Sequence, residues 1–310
     1  MTASTAAGLQ AQWWPAPAKL NLFLHVTGRR ADGFHELQTL FQLLDWGDEV
    51  YLQATADGDI GRRRADYDVA PDEDLVVRAA RQLQAAAGCT TGAVIEVRKR
   101  IPIGAGLGGG SSDAATVLLV LNRLWNCGLP VDEIAQLGLE LGADVPVFVH
   151  GHSAMATGVG EVLEPVKLGE RHYLLVMPDI RVCTAEVFSD VRLRRQSSPI
   201  SVVEALAGGG HNDCEPVARD RHPELSRLMD ALGKYGEPRM SGTGATVFLP
   251  MPSRDAAEAA ARDVERGAAS GLKCRYNVRA VGGLDHSPLL GSLGIPPITA
   301  IDTGGTSPSG

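Results

Sequence analysis

Apolar and polar positions in the first half of the chain predict strands separated by helices. The even-numbered positions from 18 to 26 are apolar, and Lys19 and Asn21 share the opposite face of the predicted strand. Further along, two runs of helical spacing end at Gly88 and Gly128, and glycine is a typical stop signal of helices. The predicted strands are 16–27, 37–52, 92–98 and 145–150, and the predicted helices are 72–87, about 111–126 and about 131–141.

The second half of the chain starts a new series of elements after a loop-rich stretch. Its predicted strands are 172–178, 245–249 and 274–281, and its predicted helices are about 223–235 and 253–269. The last twenty residues are rich in Gly, Pro, Ser and Thr, a composition typical of disorder. We therefore predict an α/β (α+β) chain, which consists of a disordered leader 1–12, an amino-terminal domain 13–165, a carboxy-terminal domain 166–290 and a disordered tail 291–310.

Composition and charge exclude several classes of protein. The chain has 310 residues, 44% of them hydrophobic, and no apolar run long enough to cross a membrane. Its net charge of -8 disfavours binding to nucleic acid or anionic lipid, because the long-range field repels polyanions. The amino terminus lacks the basic and apolar regions of a signal peptide, so we expect a cytoplasmic protein. Five widely spaced cysteines without metal-ligand spacing predict free thiols and no protein-bound metal.

The most informative motif is a glycine-rich segment over residues 102–115, PIGAGLGGGSSDAA. Five of the seven residues from 104 to 110 are glycine, and an almost wholly apolar helix is predicted to follow, with Ser111 or Ser112 as its N-cap. Unpaired backbone N–H groups at a helix N-terminus attract phosphate, and glycine lets phosphate oxygens approach those groups closely. The segment therefore predicts a phosphate-binding loop.

Three other interpretations fit this segment less well. Gly104, Gly106 and Gly109 match the GxGxxG pattern of dinucleotide-binding proteins. However, Pro102 lies between the strand and the loop, and no acidic strand end follows at the expected distance. A P-loop would need a Gly-Lys-Ser/Thr sequence that the segment lacks. A merely flexible turn would not need a buried helix directly behind it.

Three motifs in matching order resemble those of the GHMP kinase superfamily, a group of small-molecule kinases without a P-loop. They are PAKLNLFL at 17–24, the glycine-rich segment at 102–115 and MSGTGATVF at 240–248. The resemblance extends from about Trp13 to about Leu290. It implies a two-domain GHMP kinase fold with the active site in the interdomain cleft, and ATP with Mg²⁺ as the co-substrate.

Longer matches resemble the superfamily members that act on 4-diphosphocytidyl-2-C-methyl-D-erythritol. They are PAKLNLFLHVTGRRADGFHELQTLF at 17–41, LGGGSSDAATVL at 107–118 and GADVPVF at 142–148. This resemblance implies phosphorylation of the 2-hydroxyl in the non-mevalonate isoprenoid pathway, and a cytidine-bearing substrate explains the base-binding loop Asp32–His35. The nearest alternative is a kinase acting on homoserine, mevalonate, phosphomevalonate or a sugar. A non-catalytic nucleotide-binding module and a dinucleotide oxidoreductase are more distant alternatives.

The resemblance also assigns catalytic roles to two residues. Lys19 corresponds to the catalytic lysine, a fixed positive charge near the transferring phosphoryl group, and Asp144 corresponds to the catalytic aspartate. Asp144 would act either as general base toward the substrate hydroxyl or mainly as an orienting group, because a nearby Lys favours its charged form. As isolated residues, Lys19 would suit a solvent-facing strand position and Asp144 a turn.

Further residues are implied to contact the two substrates. The cytosine would stack between the rings of Phe34 and Phe188, and His35 would hydrogen-bond its edge. Phe34 stands where Tyr is common in the family. The residues implied to bind the acceptor are Asn21, Phe34, His35, Thr184, Phe188, Gly242, Thr243 and Gly244. Those implied to bind ATP are Asp74, Lys99, Pro102, Ile103, Gly104, Ala105, Gly106, Leu107, Gly108, Gly109, Gly110, Ser111 and Ser112.

Two clusters of arginines lie in predicted loops. One is 62–64, and the other comprises Arg192, Arg194 and Arg195. We interpret them as solvated surface or as groups that steer a doubly charged substrate toward the cleft. The expected partners are small molecules, with no nucleic acid and no membrane, and the expected assembly is a monomer or a weak homodimer.

Overall fold

The computed structural model describes residues 11–63, 67–268, 275–296 and 301–302. Within these ranges the strands are β1 (Gln12–Arg29), β2 (His35–Thr55), β3 (Ile60–Arg62), β4 (Gly92–Arg98), β5 (Ala154–Thr157), β6 (Val162–Lys167), β7 (His172–Pro178), β8 (Arg239–Met240), β9 (Val247–Met251), β10 (Tyr276–Leu284) and β11 (Ile301–Asp302). The helices are α1 (Leu75–Ala86), α2 (Gly109–Leu124), α3 (Val131–Leu141), α4 (Val145–His150), α5 (Thr184–Ser189), α6 (Val202–Leu206), α7 (Glu215–Arg221), α8 (Pro223–Leu232), α9 (Arg254–Asp263) and α10 (Pro288–Leu293). In the described part of the chain, no helix has the length and apolar character needed to span a membrane.

The long strand β2 organises the sheet. It forms a bulged antiparallel hairpin with β1 and also pairs with β4, β5 and β10 along its length. From β2 the sheet continues through β10, β7, β9 and β8 on one side and through β5, β6 and β11 on the other, and β3 joins the far side of β4. Because β10 returns from near the end of the chain, the sheet is continuous across the predicted domain boundary at 165, which itself falls inside β6.

Helices pack on this sheet in two main hydrophobic cores. The first contains α1, α2 and α4 against β1, β2 and β4, and α2 is buried along most of its length because Ala114–Leu121 are apolar apart from Thr116. The second contains α5, α7, α8 and α9 against β7 and β9. This mixed helix and sheet architecture with two cores confirms the predicted fold class.

The strand predicted over 145–150 is wrong, since this segment forms the helix α4. Its residues Val145–Val149 are all buried, and a short apolar run does not distinguish a buried strand from a buried helix. Pro146 favours the helix, because its ring holds φ near the helical value and its missing N–H has no partner in a first turn. The consequence is that Asp144 stands at the start of a helix and not before a strand.

The starts and ends of several elements also differ from the predictions. The N-cap of α2 is Gly108, not Ser111 or Ser112, so the helix begins earlier than expected. The predicted tail starts inside α10, whose leucines pack on the first core, and Ile301–Asp302 pair with β6. The predicted leader overlaps the described residues only at 11–12, where β1 begins, and the rest of the leader and tail lies outside them.

Candidate active site

Lys19 lies at an irregular point of β1, where the register with β2 shifts between Pro17 and Lys19. Its side chain is almost fully buried, and Nζ lies 2.6 Å from Asn21 Oδ1 and 3.1 Å from Asp144 Oδ2. The backbone N–H of Lys19 donates to the Leu107 carbonyl at 3.0 Å, which ties the strand to the glycine-rich segment. Burial therefore excludes the solvent-facing position expected of an isolated strand lysine.

Asp144 is the N-cap residue of α4, but its side chain makes no capping hydrogen bond. The carboxylate is therefore free to face Lys19, and its side chain is 36% exposed against 4% for the lysine. Asn21 fixes the lysine from the other side, since its Nδ2 donates to Thr39 Oγ1 at 2.9 Å while its Oδ1 accepts from Lys19. The arrangement holds one cation beside one partly exposed carboxylate.

The glycine-rich segment takes a path that side chains would obstruct. Gly104, Gly106 and Gly108 have φ angles of 74°, 76° and 71°, in the left-handed region that favours glycine. A Cβ on Gly106 would lie 2.5 Å from the Ser241 carbonyl oxygen, and one on Gly108 would lie 2.9 Å from the Phe148 ring. The segment leads directly into the N-terminus of the 16-residue α2, whose first N–H groups lack helical partners.

The third motif packs against the glycine-rich segment through polar contacts. Ser241 Oγ donates to the Gly106 carbonyl at 2.9 Å and accepts from the Asn21 backbone N–H at 3.2 Å. Asn212 Nδ2 donates to the carbonyls of Met240 and Gly242 at 2.8 and 2.7 Å, which shapes the glycine turn from below. Ser241 and Asn212 were not predicted as positioning residues. Ser241 lies inside the third motif, of which only Gly242–Gly244 were assigned to the site, and no local pattern marks Asn212.

Two cavities meet at the glycine-rich segment. The larger, of about 690 Å³, contains Lys19, Asn21 and Asp144 in its wall, and the smaller, of about 390 Å³, is lined by Lys99 and Asp74. Four residues line both cavities: Gly104, Gly106, Gly108 and Ser111. The segment is thus a shared wall, with Lys19 and Asp144 on one side of it.

The far end of the larger cavity is aromatic and polar. His35 stacks on Phe188 with ring centroids 5.1 Å apart and an interplanar angle of 28°, and Phe34 is 63% exposed. Thr184 and Thr243 share a hydrogen bond of 2.9 Å between their hydroxyls, which joins α5 to the glycine turn Gly242–Gly244. The structure brings all eight predicted acceptor-binding residues into this cavity. Phe188 lies against the His35 ring at this end of the cavity.

The smaller cavity is bordered by a network of buried charges. Lys99 Nζ lies 2.5 Å from Asp48 Oδ2 and 2.9 Å from Asp113 Oδ2, and Asp48 Oδ1 accepts from the backbone N–H groups of Arg100 and Ile101. Burial raises the pKa of Asp113, against the opposing effect of the Lys99 charge. Asp48 therefore anchors both Lys99 and the stem of the phosphate loop, a role that no sequence pattern signalled.

Asp74 caps α1 and is fully engaged by neighbouring groups. Its carboxylate accepts from Val76 N, from the Tyr67 hydroxyl at 2.7 Å and from the Arg62 guanidinium. Arg62 is therefore not part of a solvated cluster, since its side chain is 10% exposed. The third member of that predicted cluster, Arg64, lies outside the described residues.

Most residues predicted for the nucleotide line the smaller cavity, but Ser112 does not. Its side chain is buried, and within the described residues its hydroxyl has no hydrogen-bond partner. The early start of α2 turns Ser112 into the core and leaves Ser111 facing both cavities. The loop residues that line the smaller cavity are Pro102, Ile103, Gly104, Ala105, Gly106, Leu107, Gly108, Gly109, Gly110 and Ser111.

The chain matches two family models and several known kinases. Residues 74–152 match the GHMP kinases N terminal domain, and residues 195–269 match the GHMP kinases C terminal model. The 4-diphosphocytidyl-2-C-methyl-D-erythritol kinase of Halorhodospira halophila (strain DSM 244 / SL1) is 54% identical over 250 residues, or 80% of this chain and 87% of that protein. The enzyme of the same name from Xanthomonas campestris pv. campestris (strain B100) is 51% identical over 284 residues, or 90% of this chain and 93% of that protein.

A solved structure agrees with these relatives. The crystal structure of a 4-(cytidine 5'-diphospho)-2C-methyl-D-erythritol kinase is similar to this chain with a TM-score of 0.73 and 36% identity, covering 88% of this chain and 100% of that one. The two family models flank the predicted boundary at 165, one on each side. The chain belongs to the GHMP kinases and, among them, to the 4-diphosphocytidyl-2-C-methyl-D-erythritol kinase family of ATP-dependent enzymes.

Proposed function

We propose that Lys19 and Asp144 catalyse transfer of the γ-phosphoryl group of ATP to the 2-hydroxyl of 4-diphosphocytidyl-2-C-methyl-D-erythritol. One observation carries this assignment of the site: the glycine-rich segment is a wall shared by two cavities, and the ion pair of 3.1 Å stands on one side of it. A phosphate chain lying on that wall from the smaller cavity reaches the larger one at its γ end. The acceptor alcohol then meets it beside Asp144.

ATP occupies the smaller cavity in this proposal. Backbone N–H groups at the start of α2 hold the phosphates, with the helix N-terminus favouring their negative charge. Mg²⁺ enters as part of the ATP substrate and neutralises phosphate charge, and the Ser111 hydroxyl and the Asp144 carboxylate are the hard oxygen donors that face the shared wall. The Asp48–Lys99–Asp113 network supports the stem of the loop from behind.

The acceptor occupies the larger cavity. Its cytosine lies at the end formed by Phe34, His35 and Phe188, where an aromatic face and a hydrogen-bonding imidazole are available. The glycine turn Gly242–Gly244 leaves room for the diphosphate, because it presents backbone without side chains except at Thr243. The alcohol end then reaches the ion pair.

The chemistry needs positioning and charge neutralisation. The 2-hydroxyl oxygen bonds to the γ-phosphorus while the bond from that phosphorus to the β–γ bridging oxygen breaks, and ADP leaves with the electron pair. The hydroxyl proton passes to the Asp144 carboxylate, and the Lys19 ammonium stabilises the charge that develops on the transferring group. Asn21 keeps the ammonium in place through its 2.6 Å hydrogen bond.

ADP release from ATP·Mg²⁺ tests this assignment with four reactions: cytidine diphosphate-linked methylerythritol, homoserine, mevalonate and no acceptor. We expect turnover with the cytidine substrate alone. Asp144→Asn and Lys19→Met should lower kcat by about 10²–10⁴-fold, the usual contribution of proton transfer or of one preorganised charge. Glu133→Gln, an exposed carboxylate in the first turn of α3, is the matched control. Full activity of Asp144→Asn would contradict the catalytic role, and turnover with another alcohol would contradict the substrate.

The proposal also covers the setting of the enzyme. We propose that it works in the cytoplasm on small molecules, as a monomer or a weak homodimer. Sedimentation equilibrium over a range of protein concentrations tests the assembly, and a tight higher oligomer would contradict it. Residues of a single chain line both cavities, so the activity per chain should not depend on protein concentration.

A further inference from the structure

Arg195 connects the aromatic end of the larger cavity to the loop that follows α5. Its Nε donates to His35 Nε2 at 3.0 Å, and its Nη2 donates to the carbonyls of Phe188 and Asp190, both at 2.8 Å. Nη1 donates to the Leu193 carbonyl at 3.1 Å. Four hydrogen bonds hold the guanidinium in one orientation, so Arg195 is not the solvated or steering group that its sequence cluster suggested.

The contact with Arg195 determines which nitrogen of His35 carries the proton. A guanidinium has donors only and stays charged, so His35 Nε2 must offer its lone pair. A neutral ring with a bare Nε2 carries its hydrogen on Nδ1. Burial first, and then the charges of Arg195 and Arg29, lower the pKa of His35, which favours the neutral ring. Within the described residues no protein group accepts from Nδ1, and the ring lines the cavity.

The stack on Phe188 fixes the plane in which this N–H lies, and the contact of Nε2 with Arg195 fixes the orientation of the ring within that plane. The two rings are nearly parallel, so the N–H of His35 lies in a plane roughly parallel to the Phe188 ring. A base entering the end of the cavity therefore meets an N–H donor. Cytosine presents an acceptor at N3, whereas uracil presents an N–H at the same position, which would place two donors against each other.

We propose that Arg195 is a positioning residue that holds His35 in its Nδ1–H tautomer and thereby makes the site select cytosine over uracil. The inference rests on the proposed function, because it assumes that a pyrimidine binds at the end of the cavity formed by Phe34, His35 and Phe188, with its edge toward the His35 ring. Arg195 would not touch the base itself in this arrangement, because it contacts His35 Nε2. Its effect passes through the protonation pattern of one ring.

The first test needs no substitution in the tested protein. Nitrogen-15 shifts of the histidine rings, with His35 assigned by loss of its signal in His35→Gln, report the tautomer directly. We expect a protonated Nδ1 and a bare Nε2 in the ligand-free enzyme between pH 7 and 8. A protonated Nε2 on His35 would overturn the inference.

The second test measures selectivity. The ratio of kcat/KM for the cytidine diphosphate-linked acceptor to that for its uridine counterpart should fall by about tenfold or more in Arg195→Met, the size of one hydrogen bond against an unpaired donor. Arg194→Met removes an equal charge from an exposed neighbour and should leave the ratio unchanged. An unchanged ratio in folded Arg195→Met would overturn the inference.

A double-mutant cycle separates selectivity from general damage to the loop. In a His35→Ala background, Arg195→Met should no longer change the cytidine-to-uridine ratio, because the ring through which Arg195 acts is gone. The same tenfold loss in both backgrounds would show that Arg195 acts otherwise and would overturn the inference. Failure of the proposed function is distinguishable, since it would appear as no turnover of the cytidine substrate while the nitrogen-15 shifts still show Nδ1–H.

Discussion

The two cavities that meet at the glycine-rich segment differ in how their walls are held. On the nucleotide side, ten consecutive residues, Pro102–Ser111, line the cavity, and the carboxylate of Asp48, with a fully buried side chain, anchors the loop stem. On the acceptor side, side chains such as Phe34 and Thr184 are exposed, and a single arginine orders His35. Phosphate recognition is therefore tied to the chain path, whereas base recognition depends on a few side chains, of which Phe188 packs against the second main core.

This difference indicates which substitutions should be tolerated. A change in the loop or its anchors alters the path of the backbone, which the third motif and β1 also contact. A change at Phe34 leaves every backbone contact in place. Substitutions on the nucleotide side should therefore change the kinetic constants for ATP, and substitutions on the acceptor side those for the acceptor.

The largest effect on the nucleotide side is expected for Gly106→Ala. Its φ of 76° is unfavourable for alanine, and the added Cβ would lie 2.5 Å from the Ser241 carbonyl oxygen. We expect kcat/KM for ATP to fall about 10–100-fold, the equivalent of about 1.4–2.7 kcal/mol. Gly169→Ala has a similar φ of 70° but open space around the Cβ, and it should not affect catalysis. Equal losses in both variants would contradict a role for the close contact with the third motif.

Asp48→Asn should raise the KM for ATP by about tenfold with a smaller change in kcat, which corresponds to about one hydrogen bond to a charged group. The substitution removes the charge that holds Lys99 at 2.5 Å and leaves one acceptor for two backbone N–H groups. Steady-state kinetics with each substrate varied in turn measures it.

The control for Asp48→Asn is Asp45→Asn on the same strand. Asp45 also accepts from a backbone N–H, that of Gly282 at 2.7 Å, and pairs with Arg254, but it lines neither cavity. It should change stability without changing the KM for ATP. An equal rise in that constant in both variants would show that the effect of Asp48 is general destabilisation.

Phe34→Ala should raise the KM for the acceptor about 3–10-fold and leave the KM for ATP unchanged, because stacking on one exposed ring contributes about 0.5–1.5 kcal/mol. The ring is 63% exposed, so its removal leaves no cavity in the core. Val191→Ala, at a site 91% exposed and outside the cavity, is the control for a surface truncation. A change in the KM for ATP would mean that the two sides are not independent.

The smallest effect is a pH dependence of acceptor binding. The pKa of His35 lies below the ordinary 6.5 because of burial and of Arg195 and Arg29. The ring therefore stays neutral at pH 6.5, and the KM for the acceptor should begin to rise only as the pH falls below that value, when protonation of Nε2 breaks the hydrogen bond from Arg195. His35→Gln should remove this rise. A KM that doubles already between pH 7.5 and 6.5 in the wild type, but not in His35→Gln, would contradict it.

Periodicity in the sequence predicted the elements better than their contacts. The helix over 131–141 is confirmed to the residue, and the buried character of α2 follows from its apolar composition. The strand predicted in place of α4 was wrong, because burial on all sides removes the polar positions that distinguish strand spacing from helix spacing. The predicted start of α2 at Ser111 or Ser112 was wrong, because the residue before its first turn is Gly108, a glycine in the left-handed conformation.

The site could be predicted only in part. Lys19 and Asp144 are distant in sequence, and only the resemblance to known kinases paired them before the structure placed their side chains 3.1 Å apart. Asp48 stands outside every motif, Ser241 lies in the third motif but has no predicted role there, and Arg195 belongs to an arginine cluster interpreted as solvated or steering. Their importance comes from long-range pairing of strands and loops, which local spacing does not encode.

The pairing of β10 with β2 at Leu43–Leu44 sets the order in which the molecule can be completed. Gln42 is fully buried there, and its amide donates to the Leu284 carbonyl at 2.9 Å. Leu284 follows Gln42 by more than 200 positions, so it is synthesised much later. In a nascent chain that ends near residue 165, the phosphate loop and the ion pair are present, but the edge of β2 that pairs with β10 is open. The Gln42 amide then has its contact with Ser153 Oγ and lacks the Leu284 carbonyl. Ser241 and the glycine turn Gly242–Gly244, which lie against the loop and line the larger cavity, also come later in the sequence, so synthesis of most of the chain precedes a finished site.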